Sequence, residues 1–181
     1  MRGGYLGLGS NVGDPAAHLR AAVELLGGRG VEVEAVSSAY VTEPVGEVLD
    51  QPDFLNAAVR IRTDLEPEPL LDVCKAVEAE RGRSFDAPRH SPRPLDVDLL
   101  LLGDLELETA RLTLPHPEVT TRRFVLLPLL ELDPDLSLPD GTRLADALAA
   151  LPDGQRAEPV GRLWPLPDLG ERAAQTRRVR K

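Results

Sequence analysis

Residues 94–103 read PLDVDLLLLG, from Pro94 to Gly103. Four leucines after an alternating lead-in describe a strand driving into a core, yet that strand begins with two like charges. Side chains in a strand alternate between faces, so Asp96 and Asp98 share one, roughly 6.6 Å apart. Leu95, Val97, Leu99 and Leu101 are expected on the other. Three readings of the carboxylate pair stand side by side: a solvated strand end, ion pairing with nearby arginines, or a Mg²⁺ site. The last is open because Mg²⁺ takes one or two carboxylates and completes its octahedron with water and substrate phosphate.

Working back from this strand, GRSFDAPRHSPRP is too rich in proline, glycine and charge to be regular. Before it, Leu70, Leu71, Cys74 and Val77 mark one face of a helix from Pro67 to Arg81. Leu55, Ala57, Val59 and Ile61 alternate as a strand, and EPVGEVLDQPD ahead of them reads as a loop. Val31, Val33 and Ala35 alternate too, with a slip of phase near Ser37 and Tyr40, which predicts a long strand bent or bulged before Thr42. At the front, Gly4 to Leu8 is a short strand. Asp14 can cap the following helix, Pro15 suits its first position, and Gly27-Gly28 ends it. The order βαββαβ predicts an α+β fold: a ferredoxin-like antiparallel sheet with helices on one face. Beyond the sixth element, PHPEV and VLLPLLELDPDLSLPDG suggest short strands and turns, and Arg143 to Leu151 a last helix. Residues 1–151 are expected to form the domain, and 152–181, rich in Pro and Arg, a loosely attached tail.

Composition narrows the function. The 181 residues carry a formal charge of −9 and 42% hydrophobic content, which suits one domain with a genuine core. An acidic chain argues against general binding to nucleic acid or to an anionic membrane. The only lysines among 21 Lys plus Arg are Lys75 and Lys181, and no Gly-Lys pair exists, which excludes a Walker-type phosphate loop. Any phosphate must fall to arginine, whose planar fork binds oxygens in pairs. Cys74, the one cysteine, reads as a core thiol. The N-terminus has no signal-peptide pattern and no apolar run is long enough to span a bilayer, so a cytoplasmic protein is expected.

Two basic clusters flank the aspartates: Arg81, Arg83, Arg89, His90 and Arg93 upstream, Arg111, His116, Arg122 and Arg123 downstream. Each alone could be a solvated loop. Converging on Asp96 and Asp98, they would make a site for metal-bound polyphosphate. Phe54 and Asn56 share the face opposite Leu55 and Ala57. A ring and an amide side by side suit a flat heterocycle, although Phe54 packing under a loop and Asn56 capping a turn would give the same pattern.

Taken together, YLGLGSN (Tyr5–Asn11), DQPDFLNAAV (Asp50–Val59), PRPLDVDLLLLG (Pro92–Gly103) and RLTLPHPEVTTRRFVLLPL (Arg111–Leu129) resemble 6-hydroxymethyl-7,8-dihydropterin pyrophosphokinases of folate biosynthesis. The resemblance implies transfer of a pyrophosphoryl group from ATP to the pterin hydroxymethyl oxygen, releasing AMP. It implies that Asp96 and Asp98 hold two Mg²⁺ ions on the triphosphate, with Arg83 and Arg93 also catalytic. Asn56, Thr42 and Val45 would recognise the pterin between Phe54 and Phe124. Arg83, Arg89, Arg93, Arg111, Thr113, His116 and Arg122 would contact the nucleotide, and Glu78 would lend structural support. The loops at 43–50 and 83–92 match segments that close over substrates. Phe85, His90 and Pro117 depart from residues common in the family. A monomer acting on ATP and the pterin, without nucleic-acid or membrane partners, is expected. Two other classes compete: a two-metal nucleotidyl transferase or cyclase, which would release pyrophosphate, and a noncatalytic ferredoxin-like module binding RNA through its arginine loops.

Overall fold

Strand β1 (Arg2–Ser10) buries Leu6 and Leu8, and at its end Asp14 accepts the Ala17 N–H at 3.1 Å to cap α1 (Pro15–Gly27), as its sequence predicts. The computed structural model describes residues 1–46 and 48–163. After α1 come β2 (Val31–Val36), β3 (Ala39–Thr42), β4 (Phe54–Thr63), α2 (Pro67–Glu80) and β5 (Asp96–Leu102). The expected long bent strand is β2 plus β3, both antiparallel to β4. The bend is held to the sheet by a serine: Ser37 N–H donates to the Ala58 carbonyl, and the Ala58 N–H donates to Ser37 Oγ, both at 2.9 Å. Counting β2 and β3 as one strand, the spatial order is β5, β1, β4, β2/β3, antiparallel throughout. That is the ferredoxin-like arrangement, with α1 and α2 as crossovers.

Helices α1 and α2 seal one face of the sheet. Leu19, Leu26, Leu70 and Cys74 meet Leu6, Leu8, Val59, Ile61, Val97 and Leu99 there. Burial, with Glu78 nearby, pushes the Cys74 thiol up to about 12, so it is an inert core group.

Three expectations are corrected beyond this point. Residues 125–132, expected as short strands and turns, belong to α3 (Arg123–Leu132), with Pro128 inside it. Leu126 and Leu129 lie three apart and pack on Ala58, Leu100 and Leu101, a burial that outweighs the one donor Pro128 lacks. Helices therefore cover both faces of the sheet. The PHPEV segment is turn rather than strand, following a ribbon of β6 (Leu107–Glu108) and β7 (Thr113–Leu114). The predicted last helix is α4 (Leu144–Ala150). Finally, the sheet does not stop at 151, because β8 (Ala157–Gly161) pairs with β3. The remainder of the expected tail, 164–181, lies outside the described residues.

The four leucines of β5 serve both faces. Pairing with β1 slips between Tyr5 and Leu6, so Leu6 faces Leu99 while Tyr5 faces Leu101. This bulge turns Leu101 to the α3 side, beside Leu100, and returns Leu102 to the α1/α2 side. The expectation that Leu101 continues the Leu99 face fails for that reason. Asp96 and Asp98, ahead of the slip, keep their shared face.

Candidate active site

On the α3 side, where β1 ends and its antiparallel neighbours β4 and β5 begin, the sheet forms the floor of a cavity of about 400 Å³. Gly7, Gly9, Asn56, Asp96 and Asp98 lie on that floor. One wall comes from the loop after α2 and carries Arg83, Arg89, His90 and Arg93; the other, around the start of α3, carries His116, Arg122 and Phe124. Thr42, Val45 and Phe54 close the end nearest β3. Arg83, Arg89, His90 and Arg93 of one basic cluster and His116 and Arg122 of the other therefore converge on the aspartates, whereas Arg81, Arg111 and Arg123 do not line the cavity.

Asp96 forms ion pairs with Arg83 Nη1 and, at 3.6 Å, with Arg93 Nε. Burial alone would raise its pKa, but Arg93 and then Arg83 outweigh it and hold the carboxyl below its ordinary value. Among the described residues Asp98 has no ion pair of its own, and the charges of Lys75 and Arg93 only partly relieve it. Burial first, and then the charge of Asp96, push its carboxyl up to about 8. The ion-pair reading thus accounts for Asp96, while Asp98 is left as a half-buried carboxyl that a cation would suit.

Beneath the pair, Glu78 of α2 is fully buried. Strand β5 lies at the edge of the sheet, so the Val97 N–H on its outer side has no strand partner. Glu78 Oε1 accepts it at 2.8 Å, and Arg83 Nη1 at 2.9 Å. Burial raises the Glu78 pKa, opposed chiefly by that Val97 N–H. Lys75 Nζ lies 3.3 Å from both Glu78 oxygens. Two carboxylates with hard oxygen donors fit Mg²⁺, and among the described residues no cluster of three or more His, Cys, Asp or Glu side chains could hold a metal. The donor set matches an ion that keeps water and phosphate among its ligands.

At the other end, Asn56 Nδ2 donates to Thr42 Oγ1 at 2.6 Å, which fixes the amide in the floor. Its carbonyl lies over Gly9, where a Cβ would come within 2.7 Å of Oδ1. Phe54 carries the Arg93 guanidinium over its ring, 5.6 Å from the centroid. His116 Nδ1 accepts the Glu118 N–H at 3.1 Å, and burial lowers its pKa, so the neutral ring keeps its proton on Nε2. Glu118 also pairs with Arg122 at 2.7 Å.

The loops above the cavity touch one another. Gly46, at φ 101°, lies against His90, where a Cβ would stand 2.8 Å from the ring, and Gln51 Nε2 donates to the His90 carbonyl at 3.0 Å. Asn11, at the end of β1, joins both: its Nδ2 donates to Gln51 Oε1 and the Pro52 carbonyl, and its Oδ1 accepts the Arg93 N–H, at 2.9, 3.0 and 3.0 Å.

Of the residues expected in the site, Thr42, Val45, Phe54, Asn56, Arg83, Arg89, Arg93, Asp96, Asp98, His116, Arg122 and Phe124 all line the cavity. Arg111 and Thr113 do not. Arg111 is paired with Glu68 and Asp72 on the outside of α2, and Thr113 sits in β7 opposite Glu108. Sequence reasoning missed Lys75, Gly9 and Glu118 as cavity residues. The i,i+3 spacing of Lys75 to Glu78 and the i,i+4 spacing of Glu118 to Arg122 were legible signals for two of them.

Residues 5–134, well over half of the chain, match the family described as 7,8-dihydro-6-hydroxymethylpterin-pyrophosphokinase (HPPK). The chain is 43% identical over 149 residues to the 2-amino-4-hydroxy-6-hydroxymethyldihydropteridine pyrophosphokinase of Pseudomonas aeruginosa, covering 82% of this chain and 91% of that one. It is 47% identical over 152 residues to the protein of the same name from Methylorubrum extorquens, covering 83% and 94%. Its fold is similar to that of wild-type HPPK-DHPS from Plasmodium falciparum, with a TM-score of 0.62 at 16% identity. That match covers 82% of this chain and 43% of the other, so this chain spans less than half of the Plasmodium protein. With this cavity on a ferredoxin-like sheet and these relatives, the chain belongs to the 7,8-dihydro-6-hydroxymethylpterin-pyrophosphokinase family.

Proposed function

We propose that this chain transfers the pyrophosphoryl group of ATP to the hydroxymethyl oxygen of 6-hydroxymethyl-7,8-dihydropterin. A bond forms between that oxygen and the β-phosphorus, the bond from the β-phosphorus to the oxygen it shares with the α-phosphorus breaks, the hydroxyl proton is lost, and AMP leaves. The observation that carries this reading is one cavity joining an amide face to a carboxylate pair ringed by arginines.

The residues divide the work. Asn56, held by Thr42, presents its amide to the edge of the pterin, with Phe54 and Phe124 against the ring faces and Val45 at the rim. Asp96 and Asp98 would hold two Mg²⁺ ions, which when bound neutralise charge developing on the triphosphate. Arg83 and Arg93 are drawn to Asp96 in the free protein, so both guanidinium groups stand ready at the place where phosphate oxygens arrive. Arg89 and Arg122 bring further charge from opposite walls, and the Nε2–H of neutral His116 is a donor for a phosphate oxygen. The loops at 43–50 and 83–92 exclude water, which would otherwise compete as the acceptor. The inward turn of Arg83, Arg93 and Arg122 onto carboxylates disfavours an RNA-binding surface. No described helix is long and apolar enough to cross a membrane, and use of ATP favours the cytoplasm.

Incubation with ATP, Mg²⁺ and the pterin, followed by chromatography, tests the reaction. AMP and pterin diphosphate are expected in equal amounts, only when pterin and Mg²⁺ are both present. Pyrophosphate as product would mean nucleotidyl transfer instead. The pterin end has its own test in Gly9→Ala. The added methyl group displaces the Asn56 carbonyl, and loss of one good hydrogen bond raises the KM for pterin by ~10-fold. The KM for ATP is expected to stay within about 2-fold, because the displaced group lies at the pterin end. Equal effects on both substrates would refute the assignment of Asn56.

A further inference from the structure

The stretch just after α4 touches both halves of the rim while lining none of the cavity. Helix α3 begins at Arg123 without a cap of its own, since Arg122 makes no capping hydrogen bond. Gln155 supplies one from 32 residues further on: its Oε1 accepts the Arg123 N–H at 2.8 Å, and its Nε2 donates to the Thr121 carbonyl at 3.1 Å. The flanking residues Arg122 and Phe124 are those that face the cavity.

The next residue reaches the opposite side. Arg156 N–H donates to Glu43 Oε1 at 2.9 Å, and its guanidinium pairs with Asp53. Glu43 and Asp53 are the two ends of the loop between β3 and β4, so a single arginine joins them. Ala157 then enters β8 opposite Thr42, whose hydroxyl holds Asn56. Three consecutive residues thus attach to the start of α3, to both ends of the loop, and to the strand beneath it.

We propose that Gln155 and Arg156 are positioning residues for pterin recognition, a strap that sets the distance between Phe124 on α3 and the Thr42–Phe54 side of the cavity. The proposal rests on the pterin reading above. It lies outside the stretch matched by the family, residues 5–134. Among the described residues Arg111, which also sits outside the cavity, makes no such link between walls, its guanidinium being paired only with α2. The Arg156–Asp53 pair is exposed, at 44% and 41%, so it adds little to overall stability. The Arg156 N–H and the β8–β3 pairing persist when its side chain is removed, so Arg156→Ala is expected to fold.

The experiment compares wild type, Arg156→Ala, Gln155→Ala, and the charge swap Arg156→Asp with Asp53→Arg. Amide hydrogen exchange is read over 43–53 and 121–125, together with KM for each substrate. Arg156→Ala is expected to speed exchange in 43–53 and to raise the pterin KM about 5-fold with ATP KM unchanged, the effect of one displaced contact. The swap is expected to restore both. Gln155→Ala is expected to speed exchange at 121–125. Unchanged exchange and pterin KM overturn the strap, as does a parallel loss toward both substrates that follows Tm alone. A wild type that makes no pterin diphosphate removes the functional reading, and in that case the exchange rates still decide whether these two residues hold the rim.

Discussion

Asp98→Asn is expected to reduce pyrophosphoryl transfer by at least ~10³-fold, the scale of losing one metal-holding or charge-stabilising group, while melting higher than the wild type at pH 8 without metal. Burial and Asp96 push the Asp98 carboxyl up to about 8, far above its ordinary value of 3.8. A carboxyl whose folded pKa is raised adds stability that is full below the unfolded pKa and is lost as pH climbs through the folded one. Its window here runs from about pH 4 to about pH 8. Asn carries no charge, so its advantage over Asp grows across that window, to an order of 2 kcal/mol after allowance for relaxation around the site. For a chain of this size that corresponds to roughly 5 °C in Tm. Saturating Mg²⁺ and ATP should reverse the ranking, because ligand that binds only the native wild-type site raises its stability by mass action. Melting curves at pH 5 and pH 8, with and without Mg²⁺ and ATP, check the argument. A variant that melts below wild type at pH 8 without metal would show that Asp98 is not under charge stress.

Much of this site is local in sequence and was legible for that reason. Strand alternation put Asp96 with Asp98 and Phe54 with Asn56, and both pairs face one cavity. Alternation could not foresee the bulge that turns Leu101, since a slip of register depends on how β1 lies alongside. Pro128 hid α3, because in isolation a proline among leucines argues against a helix, and only the apolar face of the sheet explains why one forms there. Arg111 looked equal to Arg122 as a phosphate ligand. What separates them is that Glu68 and Asp72 hold Arg111 on the far side of α2, a matter of packing that spacing does not encode. The same holds for Arg156, whose partners lie more than a hundred residues earlier.

Glu78 provides the second large effect and separates support from chemistry. Its Oε1 accepts the Val97 N–H, from the peptide between the two aspartates, and Arg83, with Lys75 also in reach, while among the described residues Oε2 meets Lys75 alone. Glu78→Ala leaves a buried donor and a half-buried guanidinium without their shared acceptor, along with a cavity at 0% exposure. The expected cost is roughly 3 kcal/mol, near 10 °C in Tm. With Val97 released, Asp96 and Asp98 lose their spacing, and kcat is expected to fall by ~10²-fold, the scale of a misplaced catalytic group. Glu78→Gln can keep its carbonyl at the Oε1 position and turn its amide toward Lys75, so it loses one contact, on the order of 1 kcal/mol, and keeps kcat within about 10-fold. A residue that itself handled protons or metal would fail equally as Gln and as Ala. Thermal melts and kcat for the two variants therefore decide the role: a tolerant Gln beside a crippled Ala means that Glu78 acts through Val97 and Arg83, whereas two dead but stable variants would move it into the reaction itself.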